Sequence, residues 1–174
     1  MTYKIVQKGN PVLGQKASAI PVDDINKPKI KTVIEDMKRV LAECDDGLAL
    51  AAPQIGQALR IFIITGKLFA TEGQNRPDLV FINPKLIKTS SKTKLMEEGC
   101  LSVRWLYGKV KRAEKATVEA YNEQGQKFQL SGSNLLAQIF QHEIDHLDGI
   151  LFDSKACDLF EAGPGKEDQT NKAL

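Results

Sequence analysis

The chain has 174 residues, of which 42% are hydrophobic and 26% are charged, as is ordinary for one globular domain. Its 24 basic and 22 acidic residues give a formal net charge of +2, which is too small to favour a nucleic-acid or membrane surface. No apolar run is long enough for a membrane-spanning helix, and the amino terminus lacks the layout of a secretory signal peptide. The three cysteines have no disulfide spacing, which favours a reducing, cytoplasmic compartment.

The first predicted element is an amphipathic helix that begins near Pro28 and ends at Asp45-Asp46-Gly47. Its apolar residues recur at three- and four-residue spacing and form one stripe. They are Ile30, Val33, Ile34, Met37, Val40, Leu41 and Cys44. Residues 47–56 follow, and their content of glycine, proline and other small residues predicts an ordered loop.

Two short strands are predicted next, over residues 60–65 and 79–82, because both runs are rich in β-branched and aromatic residues. Asn83-Pro84 is expected to end the second strand. The polar, lysine-rich residues 85–94 are interpreted as a solvated edge or a hairpin.

Residues 115–121 and 127–130 are predicted to form a hairpin around an Asn-Glu-Gln-Gly turn. A second helix is predicted over residues 133–148, with Ser133 as its cap and Gly149 as its stop signal. Helices and strands do not alternate regularly, so the predicted class is α+β. We expect a single catalytic domain over residues 1–155 and a polar, mobile tail over 156–174.

The chain contains only two histidines, which lie four residues apart within the second predicted helix. That spacing places His142 and His146 on the same face, where both imidazoles can bind one cation. Glu143 lies beside this face, so its carboxylate can act as a general base and acid on a water molecule at the metal. Two solvated surface histidines are the alternative, but Leu135 and Ile139 share the histidine face, which indicates that it points inward.

A catalytic metal site of this kind needs a third protein ligand and one open position. A histidine six residues after His146 is excluded, because Phe152 occupies that position. A downstream carboxylate, from Glu161 or Glu167, would come from the predicted tail. Cys100 is the better candidate, because it lies in a charged, glycine-bounded segment instead of among apolar residues. The other two cysteines are interpreted as structural.

Three segments carry a resemblance to a known family. Residues 47–54, 98–102 and 141–146 read GLALAAPQ, EGCLS and QHEIDH. In this order they resemble the Gly-x-Gly-Leu-Ala-Ala-x-Gln, Glu-Gly-Cys-Leu-Ser and Gln-His-Glu-x-Asp-His motifs of peptide deformylases. Many metallopeptidases share the third motif alone, whereas the second and third together are highly specific. The likeness extends over residues 3–155.

The resemblance implies a role for each matching residue. The residues that correspond to the family's metal ligands are Cys100, His142 and His146. Glu143 corresponds to the catalytic carboxylate. The side chain of Gln54 and the backbone N–H of Leu101 correspond to the donors that stabilise negative charge on the formyl oxygen.

The resemblance also implies a fold, an activity and a cofactor. The fold would place antiparallel or mixed sheets around a central metal-binding helix. The activity would be removal of the formyl group from the amino-terminal methionine of nascent polypeptides, with release of formate. The cofactor would be one divalent metal ion, with Fe(II) favoured and Zn, Ni or Co possible in purified protein. Formyl-methionyl peptides would be the partners, with no membrane or direct nucleic-acid contact, and ribosome docking is not carried over to this tail.

Four residues are candidates for substrate contact. Leu135, Ile139 and Leu48 would line an apolar pocket for the methionine side chain, and Leu48 and Ala49 would contact the peptide backbone. Ala49 replaces the second glycine of the first motif. Alanine would be strained there if φ were positive, and obstructive if another backbone had to approach closely. Arg104-Trp105 replaces the proline that commonly follows the second motif.

Two alternatives to a deformylase remain open at this stage. One is a zincin-type metallopeptidase with a third ligand other than Cys100. The other is a catalytically weak or inactive relative that binds metal and peptide, and it is motivated by Ala49.

Overall fold

The computed structural model describes residues 4–71, 74 and 76–163. Within them, the two helices are α1 (Pro28–Ala42) and α2 (Leu135–Leu147). The strands are β1 (Ala49–Ala51), β2 (Ile61–Ile64), β3 (Leu79–Thr89), β4 (Thr93–Cys100), β5 (Val103–Ala113), β6 (Lys115–Tyr121), β7 (Lys127–Ser133) and β8 (Cys157–Glu161). They form a five-stranded sheet in the order β1-β2-β3-β6-β7 and a three-stranded sheet in the order β4-β5-β8. The predicted α+β class is confirmed.

The five-stranded sheet lies between the two helices, and β2 shows why its sequence is apolar at every position. Ile61 and Ile63 pack in the cluster that contains the buried stripe of α1. Phe62 and Ile64 point to the opposite face and pack in the cluster that contains α2. Because successive side chains of a strand alternate between faces, a strand covered on both sides buries all of them. All four residues are 0% exposed.

The predicted loop over residues 47–56 contains regular structure. β1 pairs antiparallel with β2, and a 3-10 turn over Ala52–Ile55 follows it directly. Gly56 ends this turn with φ +80°, a conformation that glycine adopts without a steric penalty. Pro53 fits this turn because it stands at one of the first positions, where proline suits a helical turn.

The strand predicted over residues 79–82 does not end at Asn83-Pro84. β3 continues to Thr89, and its pairing with β6 shifts register between Ile82 and Lys85. Asn83 has φ +52°, and its side-chain amide both accepts from and donates to the backbone of Ile20. A local bulge therefore carries the strand past the proline. The hairpin interpretation of residues 85–94 was wrong, because β3 and β4 belong to different sheets.

The predicted hairpin is confirmed as β6 and β7, which pair antiparallel from Lys115–Ser133 to Tyr121–Lys127. The second helix begins later than predicted. Ser133 is the last residue of β7, and the cap position is taken by Asn134, whose φ is +51° and whose side chain makes no capping hydrogen bond. Gly149 follows the helix with φ +76°, as expected for a helix stop.

The three-stranded sheet was not predicted as a unit. β4 and β5 form a hairpin with a two-residue turn, in which Cys100 pairs with Val103. β8 lies within the segment predicted as a tail and pairs antiparallel with β5. Residues 164–174 of that segment lie outside the described residues, and the domain boundary at residue 155 stays a prediction. Among the helices of the described ranges, none is long and apolar enough to cross a membrane.

Candidate metal centre

Helix α2 orients both histidines. Its residues Phe140, Ile144 and Leu147 are buried in the cluster shared with the five-stranded sheet. This packing fixes the rotation of the helix and turns His142 and His146 toward the β4–β5 hairpin, since residues four apart share one face. The two imidazole rings lie 4.9 Å apart between centroids.

Cys100 meets the histidines from the other sheet. It is the last residue of β4, immediately before the tight turn into β5. Its Sγ lies 3.2 Å from Nε2 of His146. One ligand atom each from Cys100, His142 and His146 all lie within 4.8 Å of one another. The predicted ligand residues are thus brought together from sequence positions 42 and 46 residues apart, as 142 − 100 and 146 − 100 show.

The donor set fits a single divalent cation. One thiolate and two imidazoles are borderline-soft ligands that suit zinc, iron, cobalt and nickel. His146 is 1% exposed, and its Nδ1 has no hydrogen-bond partner among the described residues. Three protein ligands leave a fourth position free for water or substrate, which is the arrangement of catalytic sites.

Glu98 determines which nitrogen of His142 faces the metal position. Its Oε2 lies 2.9 Å from Nδ1 of His142. The carboxylate therefore accepts the Nδ1–H hydrogen bond, and Nε2 is left available as a ligand atom. A carboxylate that orients a ligand histidine in this way fixes its tautomer and raises its basicity.

Arg112 holds Glu98 in place through a buried ion pair. Its Nε and Nη2 donate to the two carboxylate oxygens at 2.7 and 2.9 Å, and its Nη1 donates to Asp145 at 2.6 Å. Lys155 also donates to Asp145, at 2.6 Å. Burial raises the pKa of Glu98, but the hydrogen bonds from Arg112 and His142 outweigh burial and lower this pKa to about 2. Glu98 is therefore ionised wherever the fold is intact near neutral pH.

The side chain of Gln54 is fixed beside the thiol. It is 2% exposed, and its carbonyl oxygen accepts from the N–H of Ala51 at 2.8 Å. Its amide nitrogen donates to Ser102 Oγ at 3.2 Å and lies 3.6 Å from Cys100 Sγ. The N–H of Ser102 also points to Sγ, at 3.4 Å. Leu101 lies in the turn between them and is 8% exposed. Gln54 and Leu101 both line the pocket that Cys100 and His142 also line.

Glu143 is buried next to its two histidine neighbours. It is 4% exposed, and its Oε2 has no hydrogen-bond partner within the part of the chain that the structure describes. Burial raises the pKa of this carboxyl to about 7. A carboxyl group with such a pKa can both accept and release a proton near neutral pH, as general acid–base catalysis requires.

A pocket of about 290 Å³ opens beside these groups. The four residues predicted to contact substrate all line it, namely Leu48, Ala49, Leu135 and Ile139. Leu48 and Leu135 are 40% and 45% exposed, so two large apolar side chains face an open cavity. Ala49 is in strand β1 and is absent from the described residues with positive φ. Its methyl group therefore imposes no backbone strain.

Sequence reasoning missed the residues that support the ligands. Glu98 lies within a recognised motif, but nothing in the sequence shows that Arg112, fourteen residues later, is its partner. That pairing depends on the β4–β5 register. Of the alternative third ligands, Glu161 is exposed on β8, and Glu167 lies outside the described residues. Neither is in the cluster of possible ligands found among the described residues.

The fold and the site together define a metal-binding hydrolase with its ligands on one helix and one hairpin. The chain belongs to the polypeptide deformylase family, whose model matches residues 2–159.

Individual relatives agree with this assignment. A peptide deformylase of Halothermothrix orenii is 44% identical over 154 residues, which cover 88% of this chain and 92% of the relative. The crystal structure of a peptide deformylase from Legionella pneumophila is 35% identical, with a TM-score of 0.80, and the match covers 91% of this chain and 88% of that one. A class I type b peptide deformylase from Acinetobacter baumannii, solved with Met-Ala-Ser bound, is 29% identical with a TM-score of 0.79 over 89% of this chain and 98% of that one.

Proposed function

We propose that this protein hydrolyses the formyl group from the amino-terminal formyl-methionine of nascent polypeptides. The observation that carries the proposal is a cluster of three possible metal ligands, Cys100, His142 and His146. It lies beside the buried carboxyl group of Glu143, at one wall of the pocket. In the reaction, water adds to the formyl carbon, the C–N bond breaks, and formate and a free amino terminus are released.

Cys100, His142 and His146 would hold one divalent metal ion. When bound, such an ion supplies Lewis acidity that makes a water molecule nucleophilic near neutral pH. Glu143 accepts a proton from the attacking water and then delivers it to the leaving amine nitrogen. Its raised pKa, about 7, suits both steps, because a proton-transfer group is most effective near the working pH.

Gln54 and the N–H of Leu101 stabilise the negative charge that develops on the formyl oxygen. The amide of Gln54 is preorganised, because its carbonyl is held by Ala51 and its nitrogen by Ser102. A neutral donor stabilises the oxyanion without competing with it for the metal. Removal of one such donor costs about 10²–10³ in turnover in enzymes of this kind.

The pocket accepts the methionine side chain. Leu48, Leu135 and Ile139 present apolar surface to the unbranched thioether, and Ala49 at the start of β1 offers backbone groups to the peptide. The binding of Met-Ala-Ser by the relative from A. baumannii supports a peptide ligand of this type here.

Fe(II) is the metal that we propose for the working enzyme, with Zn, Ni or Co as substitutes in purified protein. We also propose a cytoplasmic location, which is supported by three cysteines that are all free. Nascent chains are the proposed partners, and the proposal includes neither a membrane nor direct nucleic-acid contact.

The test is formate release from formyl-Met-Ala-amide by protein loaded anaerobically with Fe(II) or with Ni(II). Glu143→Gln is the matched variant, since it preserves shape and removes the titrating group. We expect turnover by the parent protein and its near-complete loss in the variant, with equal metal content in both. Folded, metal-loaded protein without formate release would favour an inactive peptide-binding relative, and cleavage of internal peptide bonds would favour a metallopeptidase.

A further inference from the structure

The face of the five-stranded sheet that packs against α1 is covered over only part of its length. The cluster that contains the buried stripe of α1 also contains Ile82 of β3, and Tyr121 of β6 packs at its margin. These two residues are paired across the strands. Within the described residues, the cluster includes nothing of β3 or β6 beyond this pair. The same face is therefore open to solvent toward the end of β3 and the start of β6.

A groove of about 400 Å³ lies at this open end, where β3, β6 and β7 are neighbours. Ala116 is buried in the cluster shared with α2, and a Cβ added to Gly132 would lie 2.6 Å from Leu136 of that helix. Because successive side chains of a strand alternate between faces, the residues on either side of these two point into the groove. Lys88 shares their face because it pairs with Thr117. The polar side chains that line the groove on this face are Lys88, Ser90, Lys115, Thr117, Ser131 and Ser133.

The groove offers positive charge and hydrogen-bond donors. Among the described residues, no carboxylate lines it, and neither Lys88 nor Lys115 forms an ion pair. The hydroxyls of Thr117 and Ser131 lie 2.9 Å apart, so one donates to the other and the second keeps its O–H for a ligand. Ser90 has a structural task, because its Oγ accepts from the N–H of Lys115 at 3.1 Å and donates to a backbone carbonyl at 2.8 Å. These bonds fix the backbone that carries Lys115.

Two ion pairs neutralise the charges that flank the groove. Lys92 and Glu114 lie 3.1 Å apart, and Lys127 and Glu119 lie 2.7 Å apart. The positive charge is therefore confined to the groove and does not extend as the basic stripe that a long polyanion needs. The volume of about 400 Å³ lies within the range of small-molecule sites, about 300–1,000 Å³. The groove thus fits a small anion better than a nucleic acid.

We propose that this groove, termed here the lysine groove, binds the phosphate group of a small sugar or polyol phosphate. A phosphate monoester carries about 1.5–2 negative charges at neutral pH and three acceptor oxygens, which match the two ammonium groups. The free hydroxyl of the Thr117–Ser131 pair and the hydroxyl of Ser133 bind the phosphate or the attached sugar. Because no described residue lines both this groove and the pocket beside the metal position, binding here does not depend on the proposed hydrolase activity.

The first test follows the backbone amide signals of zinc-loaded protein by nuclear magnetic resonance during a titration with ribose phosphate. We expect saturable shifts for Ala116 and Gly132, since both line the lysine groove. Ribose is the uncharged match and should leave these signals unchanged. Inorganic phosphate should shift the same amides only at higher concentration, because it lacks the sugar hydroxyls, and tighter binding of the free ion would overturn the assignment to a sugar phosphate.

Variants that remove one charge connect the shifts to the two lysines. Lys88→Gln and Lys115→Gln should each weaken ribose phosphate binding by about tenfold or more, as expected for the loss of a hydrogen bond between charged groups. Both side chains are exposed, so thermal unfolding and formate release should match the parent protein. Lys67→Gln is the control, because Lys67 is also exposed and follows β2, whose last residue Ile64 pairs with Leu79 at the opposite end of β3. This variant should bind ribose phosphate like the parent.

Ribose phosphate that gives no saturable shift at Ala116 and Gly132 would overturn the proposal. Equal losses of affinity in Lys67→Gln and Lys88→Gln would reveal only a general effect of net charge, with the same consequence. Shifts that appear only near His142 and persist in both groove variants would assign the phosphate to the metal position. A single-stranded oligonucleotide that shifts the groove amides when ribose phosphate does not would assign the groove to a polyanion and exclude the small ligand.

Discussion

Replacement of Glu98 by glutamine is the sharpest test of how the site is held together. The folded protein lowers the pKa of Glu98 from 4.5 to about 2, and one pKa unit corresponds to about 1.4 kcal/mol. The ionised carboxylate therefore contributes about 3 kcal/mol to the free energy of unfolding at pH 7. Glutamine keeps the shape but loses this contribution and leaves Arg112 buried with Asp145 as its remaining carboxylate partner.

The pH dependence of the free energy of unfolding measures the contribution of Glu98 independently. Because the pKa of Glu98 is lowered by folding, its stabilisation is fully present above about pH 4.5 and is lost as pH falls toward 2. Urea unfolding of metal-free protein should show about 3 kcal/mol between the parent and Glu98→Gln at pH 7. That gap should close as the pH is lowered through this range.

Metal binding provides the second measurement on the same variant. Without the carboxylate that accepts from Nδ1 of His142, metal affinity should fall about 10–100-fold. Glu119→Gln is the matched control, because Glu119 pairs with the exposed Lys127 on the surface of β6 and β7 and does not line the pocket that Cys100 and His142 line. Equal stability of Glu98→Gln and the parent at pH 7, with unchanged metal affinity, would refute the orienting role of Glu98.

Three further predictions concern single positions. Cys100→Ser should abolish stoichiometric metal binding because a hydroxyl is a poor ligand, whereas the exposed Cys157→Ser should retain the metal, as measured by elemental analysis. Gly149→Ala should destabilise the fold by more than about 1 kcal/mol, because φ is +76° and the new Cβ would lie 2.8 Å from the backbone of Gly14. Gly14→Ala is the control, because its new Cβ would meet nothing within 4 Å. Thermal unfolding of the two variants measures the difference. Ala49→Gly should cost about 0.5–1 kcal/mol of stability without a gain in kcat/KM, and a large gain in formate release would show that alanine obstructs the substrate.

The predictable part of this protein is the part encoded by local pattern. The stripe of α1 recurs with helical spacing, and the β6–β7 hairpin carries a turn signal between two alternating runs. His142 and His146 are neighbours by helix geometry alone, so their shared face follows from the sequence. Cys100 required only an argument about its chemical surroundings and the order of the motifs.

The part that could not be predicted depends on non-local pairing. β5 contains Gly108 and four basic residues, so its composition does not indicate a strand, and its extended form comes from pairing with β4 and β8. β8 could not be predicted for a similar reason. Its residues are all exposed, so its sequence lacks the apolar alternation that indicates a strand, and its extended form depends on pairing with β5. At Asn83-Pro84 the sequence predicted the end of a strand that in fact continues. Hydrogen bonds between the Asn83 side chain and the backbone of Ile20 stabilise a bulge there, and these contacts cannot be recognised from the local sequence.

The supporting ion pairs explain why the metal site requires both sheets. Cys100 belongs to the three-stranded sheet, whereas His142 and His146 are positioned by the core of the five-stranded sheet. Arg112 joins these two units, because it binds Glu98 of β4 and Asp145 of α2 at the same time. The buried guanidinium binds both carboxylates and so fixes the position of the β4–β5 hairpin relative to helix α2. The sulfur of Cys100 and the two imidazoles are thereby held close enough to bind one ion. The ligand residues can be recognised in the sequence, but the geometry that makes them a site comes from a residue that binds no metal itself.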